Sequence, residues 1–205
     1  MSLAERLRAA RRSVREMGAG TTVLYALHRL LPRLSGGRLQ LFAYGLYAQP
    51  LGQGLLDAVR DDPQTVVTVV HAGTPLASAF PRPPAVIAER FASGAECHAA
   101  TLRGEFAGYI WIARGHYDED EVRCRYELPA DGRSVWDFDV HVEPRLRLGR
   151  TMARLWKAVD AALAAEGVRW TFSRISLFNR ASLQSHARLG AQRCGSVVRS
   201  EEHTS

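Results

Sequence analysis

The segment 136–190 constrains this chain more than any other. Trp136, Phe138, Val140 and Val142 alternate with Asp137, Asp139 and His141, which predicts a strand with one apolar and one polar face. Pro144 closes that strand. Residues 148–165 then carry the apolar spacing of a helix, residues 170–177 return to a β pattern, and residues 180–189 form a second helix ended by Gly190. Strand, helix, strand, helix in close succession needs helices laid against a sheet. The expected class is therefore α/β (α+β), a mixed central β-sheet flanked by helices.

Upstream, Pro83 and Pro84 before AVIAERFASG predict a helix with proline in its first turn and glycine at its end. Residues 96–102 and 106–113 read as paired strands joined at Arg103 and Gly104. Another strand, VRCRYEL, follows the acidic turn 118–120, and Asp131 with Gly132 turns the chain into the strand at 136. The β-branched run TVVTVV at 65–70 opens this domain, which we bound at 63–198. Ahead of it, residues 1–62 form a basic helical extension and leading segment. It holds an amphipathic helix at 3–17 carrying Arg8, Arg11, Arg12 and Arg15, a second helix at 21–34, a strand at 38–47 and a short helix at 54–60.

Residues 199–205, RSEEHTS, break the composition of everything before them and resemble the translation of a widely used sequencing adapter. They are expected to be a non-native tail, with the natural chain continuing past Val198.

A chain of 205 residues, 46% of them hydrophobic, can bury one substantial core. Its formal net charge of +6 rests almost wholly on arginine, Lys157 being the only lysine, which fits a GC-rich bacterial genome. That charge favours anionic partners: CoA phosphates, acidic lipid headgroups at a peripheral membrane contact, or, less in keeping with the rest of the chain, nucleic acid. Cys97, Cys124 and Cys194 are odd in number, widely spaced and without a CxxC, so neither a disulfide framework nor a metal site is expected, and a cytoplasmic location fits. No apolar run approaches the roughly 18 residues needed to span a bilayer.

Two motifs carry a resemblance to a known family. They are DFDVHVEPRLRLGRT at 137–151 and SRISLFNRASLQSHARLGA at 173–191. With the element order, these resemble the GNAT superfamily of acetyl-CoA-dependent N-acetyltransferases over about residues 65–198. The resemblance implies the GNAT fold, with acetyl-CoA as co-substrate and no metal. It implies direct transfer of an acetyl (acyl) group to the primary amine of a small molecule, such as an amino sugar, in a ternary complex. It also implies a closing hairpin of two strands, of which only 192–198 is present here, so the last strand is expected to be missing. The edge left that way would invite a homodimer.

Residue by residue, the resemblance places the CoA pyrophosphate against Arg145, Arg147, Leu148, Gly149, Arg150 and Thr151, where a helix N-terminus and guanidinium groups suit a phosphate pair. The family pattern Q/R-x-x-G-x-G/A is met at Arg147 but not afterwards, since Arg150 and Met152 stand where small residues belong. Arg150 has the alternative of an ordinary helix-surface position. Backbone groups at Val140 and Val142 would meet the pantetheine and thioester. Asn179 and Ser182 would line the other side, with Asn179 also suited to N-capping a helix. His186 stands where many relatives place the tyrosine that protonates the departing thiolate. Its alternative is packing. For a base, Asp139 comes first and Asp137 second, with Glu127 also near, and relay by water remains open. The acidic run 118–121 could form a mouth for a cationic amine or be a solvated turn. The irregular phosphate loop keeps alive a non-catalytic acyl-CoA-binding relative, and the basic extension keeps alive a peripheral membrane or nucleic-acid-binding protein.

Overall fold

The structure, a computed structural model, describes residues 14–15, 18–119, 123–147 and 149–202. The helix expected at 3–17 therefore lies outside the described residues except at 14–15. The first described helix of length, α1 (Ala19–Leu34), begins after Gly18 and runs through Pro32. Strands β1 (Leu39–Pro50) and β2 (Thr65–Val70) follow, then a 3-10 turn at Pro75–Ala79 and helix α2 (Pro84–Ala92). Next come β3 (Glu96–Leu102), β4 (Glu105–Arg114), β5 (His116–Glu119), β6 (Cys124–Glu127) and β7 (Ser134–Val142). Helix α3 (Thr151–Ala165), β8 (Trp170–Ser176), α4 (Arg180–Arg188) and β9 (Gln192–Glu202) complete the chain.

One sheet has the order β2-β3-β4-β7-β8-β1-β9, and β5 pairs with β6 in a separate hairpin. β7 and β8 run parallel, as the intervening helix α3 requires, and the other neighbours in the sheet are antiparallel. The β3–β4 turn at Arg103 and Gly104 has positive φ at both residues (55° and 80°), the backbone of a tight two-residue hairpin.

Each face of the sheet is covered differently. On one, Leu155, Trp156, Val159 and Leu163 of α3 are fully buried against Ala107, Ile110, Ile112 and Val135. On the other, α2 and the 3-10 turn bury Ile87 and Phe80 against Tyr109 and Trp111, and the β5–β6 hairpin stacks Tyr117 and Tyr126 on Trp136. Gly108 allows the close approach of β4 to the end of β7: a Cβ there would sit 2.5 Å from the carbonyl oxygen of His141.

Two expectations change. Residues 54–60 are turns rather than a short helix, with Gly52 and Gly54 at positive φ. This segment is tied to α3 from three successive turns, by Asp160 accepting from Gly52 N, Lys157 bonded to Asp61 and Val59, and Arg154 bonded to Asp62 and the Arg60 carbonyl. The larger change concerns the sheet edge. β1, from the leading segment, lies between β8 and β9 and pairs antiparallel with both. The position expected to be vacant is filled from the other end of the chain. β9 continues through residues 199–202, where Arg199 faces Phe42 and Glu202 faces Leu39.

Candidate functional site

β7 and β8 are paired only where they begin. Their ladder covers Ser134, Val135 and Trp136 against Trp170, Thr171 and Phe172. From there both strands continue, to Val142 and Ser176, with no further pairing recorded between them. Parallel strands that separate in this way expose backbone donors and acceptors along a V-shaped cleft, and such groups must find partners.

Asp137 sits where the strands part. It opposes Ile112 on the side covered by α3 and is 3% exposed. The Thr171 hydroxyl donates to it across the two strands at 2.6 Å. Burial drives its pKa up to about 7, against the opposing effect of hydrogen bonds from Thr171 and Ser173. The carboxyl thus joins β7 to β8 at the base of the cleft.

Asp139, the first choice for a base, is placed otherwise. It takes φ 44°, and at this point the β4–β7 register slips between Tyr109 and Trp111, the signature of a bulge. The extra residue breaks the alternation read from sequence. Asp139 falls on the α2 side with Phe138, Val140 turns to pack on the α3 side, and His141 stacks beside Phe106 and Tyr109. Arg82 binds Asp139 through Nε (2.8 Å) and Nη2, Arg90 binds it through Nη1, and the Tyr109 hydroxyl donates at 2.9 Å. Burial would raise its pKa, but the hydrogen bonds and charges of Arg82 and Arg90 hold it down to about 2. Held by Arg82, Arg90 and Tyr109, this weakly basic carboxylate pins the bulge.

The segment after β7 forms a 3-10 turn at Pro144–Leu146 before α3 begins. The α3 N-terminus has no side-chain cap and no acidic residue in its first turn, which leaves backbone N–H donors and a positive helix end for an anion. The arginines expected there are partly engaged. Arg145 pairs with Glu105 at 2.7 Å on the surface, and Arg147 Nε donates to the Val142 carbonyl at 3.0 Å. Gly149 and Arg150 are exposed, Thr151 is buried, and Leu148 lies outside the described residues.

Asn179 N-caps α4, accepting from Ser182 N at 3.1 Å, and Ser182 is half-buried one turn on. His186 is 4% exposed and meets the edge of Trp156 from α3 at 6.0 Å between ring centres. Its Nδ1 has no hydrogen-bond partner. Burial lowers its pKa to about 4, which favours the neutral imidazole, so the thiolate-protonating role expected of it would fall to a neutral N–H. It offers one N–H for a hydrogen bond and one orphaned nitrogen, both within the helix pair flanking the cleft.

The acidic run is divided. Asp118 pairs with Arg125, and Glu119 is buried against Arg174, whose guanidinium also covers the Tyr44 ring at 4.1 Å. Residues 120 and 121 lie outside the described residues. Among the described residues, no group of three or more His, Cys, Asp or Glu is placed to hold a metal ion. None of their helices is long and apolar enough to cross a membrane. His28 is a polar residue with no role assigned from sequence. It faces inward from α1 at the same helical spacing as Thr21, Leu24 and Tyr25, a pattern that reads as packing.

No family model matches the chain, and no curated protein matches it. Among solved structures it is similar to a GCN5-related N-acetyltransferase from Sphaerobacter thermophilus, at 16% identity and TM-score 0.56 over 89% of this chain and 56% of that one. It is similar to a tandem GNAT protein from the clavulanic acid biosynthesis pathway, at 16% identity and TM-score 0.55 over 86% of this chain and 59% of that one. It is also similar to a GCN5-related N-acetyltransferase-like protein from Streptococcus suis, at 12% identity and TM-score 0.53 over 85% and 67%. The chain thus spans between about half and two thirds of the length of these neighbours. Their likeness shows the fold, and the fold is that of the GNAT proteins, as the sequence motifs led us to expect.

Proposed function

We propose that this chain, a GNAT fold with an open β7–β8 cleft, transfers an acyl group from acetyl-CoA or another acyl-CoA to a primary amine by direct attack. The observation that carries this reading is the cleft itself. Two parallel strands part after Trp136 and Phe172, and the uncapped N-terminus of α3 follows β7. Backbone donors around Thr151 suit the pyrophosphate, and Gly149 lets the chain turn close by. The bulge at Asp139 interrupts the β4–β7 register and turns the Val140 side chain onto the α3 side, and a backbone N–H of this irregular segment would stabilise charge on the thioester oxygen. Arg147 holds the Val142 carbonyl until the pantetheine amide takes its place. Asn179 and the neutral His186 supply hydrogen bonds on the opposite wall. Asp137 holds the base of the cleft. The three free cysteines suit a reducing cytoplasm.

Calorimetric titration of the full chain with acetyl-CoA, paired with thiol release over a panel of amines, tests this. Acetyl-CoA is expected to bind, with Asn179→Ala weakening it about 5–10-fold, the loss of one hydrogen bond. Failure of both acetyl-CoA and CoA to bind overturns the reading. Binding without thiol release leaves the non-catalytic alternative.

A second reading rests on α1. Its outward face exposes Val23, Leu27, Leu30 and Leu34 in one stripe, next to Arg29 and Arg33. Apolar side chains rimmed by arginine suit an anionic membrane surface. Sedimentation with phosphatidylserine vesicles is expected to fall at least threefold in Leu27→Glu/Leu30→Glu and to weaken with salt. Equal sedimentation by the variant would exclude this surface.

A further inference from the structure

A cavity of about 470 Å3 opens where α1 crosses the ends of β1 and β8. His28 enters it from α1, Phe42 and Tyr44 from β1, Ser176 from the end of β8, and Phe178 and Asn179 from the turn into α4. Ser176, Phe178 and Asn179 continue the strand that forms one wall of the β7–β8 cleft. The cavity and the cleft therefore share that wall.

His28 is oriented on two sides. Its Nδ1 lies 2.6 Å from the Leu41 carbonyl, and its ring packs on Phe178 at 5.0 Å between centres. A carbonyl oxygen only accepts, so Nδ1 carries a hydrogen, and in the neutral ring the lone pair is on Nε2. A backbone bond that fixes the tautomer in this way is how an imidazole is set up to receive a proton. The two carboxylates first considered for this task are unsuitable: Asp139 is locked by Arg82 and Arg90, and Asp137 is enclosed on the α3 side.

The lining also speaks to the acceptor. Among the described residues it is three aromatic rings with His28, Gln40, Ala43, Ser176 and Asn179, without a carboxylate. Arg174, paired with Glu119, lies over the Tyr44 ring. Among these described lining residues a polycationic acceptor would find no counter-charge for its additional ammonium groups. An aromatic body with one amine finds rings to pack on and neutral groups to bond its substituents.

Resting on the acyl-transfer reading above, we propose that this cavity holds an arylalkylamine acceptor and that His28 Nε2 is its general base. His28 takes one proton from the ammonium. The freed lone pair then forms the C–N bond to the thioester carbon, and the C–S bond breaks as the tetrahedral intermediate collapses. The second proton on nitrogen passes to the leaving thiolate, and His28 releases its proton to solvent. The sum is ammonium plus thioester giving amide, free thiol and one proton.

The test uses tyramine and spermidine with the full chain. Tyramine binding, measured calorimetrically without any acyl donor, is expected for the wild type and weakened at least fivefold in Phe178→Ala. With acetyl-CoA, thiol release is expected to favour tyramine over spermidine. His28→Gln, which keeps a donor for the Leu41 carbonyl, is expected to lower kcat/KM for tyramine about 100-fold while leaving acetyl-CoA affinity within about twofold. Added imidazole is expected to restore turnover to His28→Ala, a recovery that a merely structural loss would not show. Unchanged kcat/KM in His28→Gln, preference for spermidine, or no tyramine binding overturns the inference. Failure of acetyl-CoA to bind overturns the acyl-transfer reading instead, and the donor-free tyramine titration still judges the cavity.

Discussion

Asp139→Ala is expected to lower the unfolding free energy by about 3 kcal/mol, since removing one partner of a buried ion pair strands the other charges. For a chain of this length that is roughly a 10 °C fall in melting temperature. The carboxylate is the common partner of Arg82, Arg90 and Tyr109, and its side chain is 10% exposed. Once it is gone, Arg90, itself 18% exposed, keeps its charge over Trp111 and Phe138 with no anion beside it. The bulge also loses the contacts that hold an aspartate at φ 44°. Arg82, by contrast, is 47% exposed, so Arg82→Ala should cost about 1 kcal/mol or less. Scanning calorimetry of the two variants decides the matter. Equal melting temperatures for Asp139→Ala and wild type would mean that the bulge is held by something else.

Asp137→Asn should show the opposite sign and a strong pH dependence. The folded carboxyl has its pKa raised to about 7, above the ordinary 3.8. Below about pH 3.8 it is protonated in both states and costs nothing. As pH rises toward 7, the unfolded chain gives up the proton while the folded chain retains it, so stability from this group is progressively lost, and above 7 the loss is complete. The limit is on the order of 4 kcal/mol at about 1.4 kcal/mol per unit. Asparagine carries no such titration, so the stability of Asp137→Asn relative to wild type should climb between pH 4 and pH 8 in urea denaturation. A difference that stays flat with pH would refute the buried, protonated carboxyl. Because Asp137 joins the strands and His28 is the proposed recipient of the acceptor's proton, the same variant is expected to retain thiol release within about tenfold.

What could be read in the sequence divides along the reach of the interactions. The pattern at 136–142 marked a strand, and the spacing of Asn179, Ser182 and His186 marked a helix face, because both follow from local geometry. The assignment of Asp139 and His141 to a shared face with Asp137 failed because the bulge is set by Arg82 and Arg90, residues distant in sequence. The burial of His186 beside Trp156, which lowers its pKa, was not legible because helical spacing does not disclose what packs on a side chain. His28 was hidden among the inward positions of α1. The hydrogen bond it donates to the Leu41 carbonyl, which gives it a defined tautomer, exists only once β1 has docked. β1 was recognised as a strand, but nothing local names its neighbours.

That docking sets an order of assembly. β1 is synthesised well before β8 and β9, yet it pairs with β9 along most of its length and with β8 on its other side. While the chain is still emerging from the ribosome, one edge of β1 has no mate to close on. The sheet becomes continuous only when β9 has left the exit tunnel. Contacts between such distant segments are slow to form and leave an open strand edge in the interim. Closure of the sheet therefore waits for β9, and a synthesis that stops short of β9 leaves that seam open.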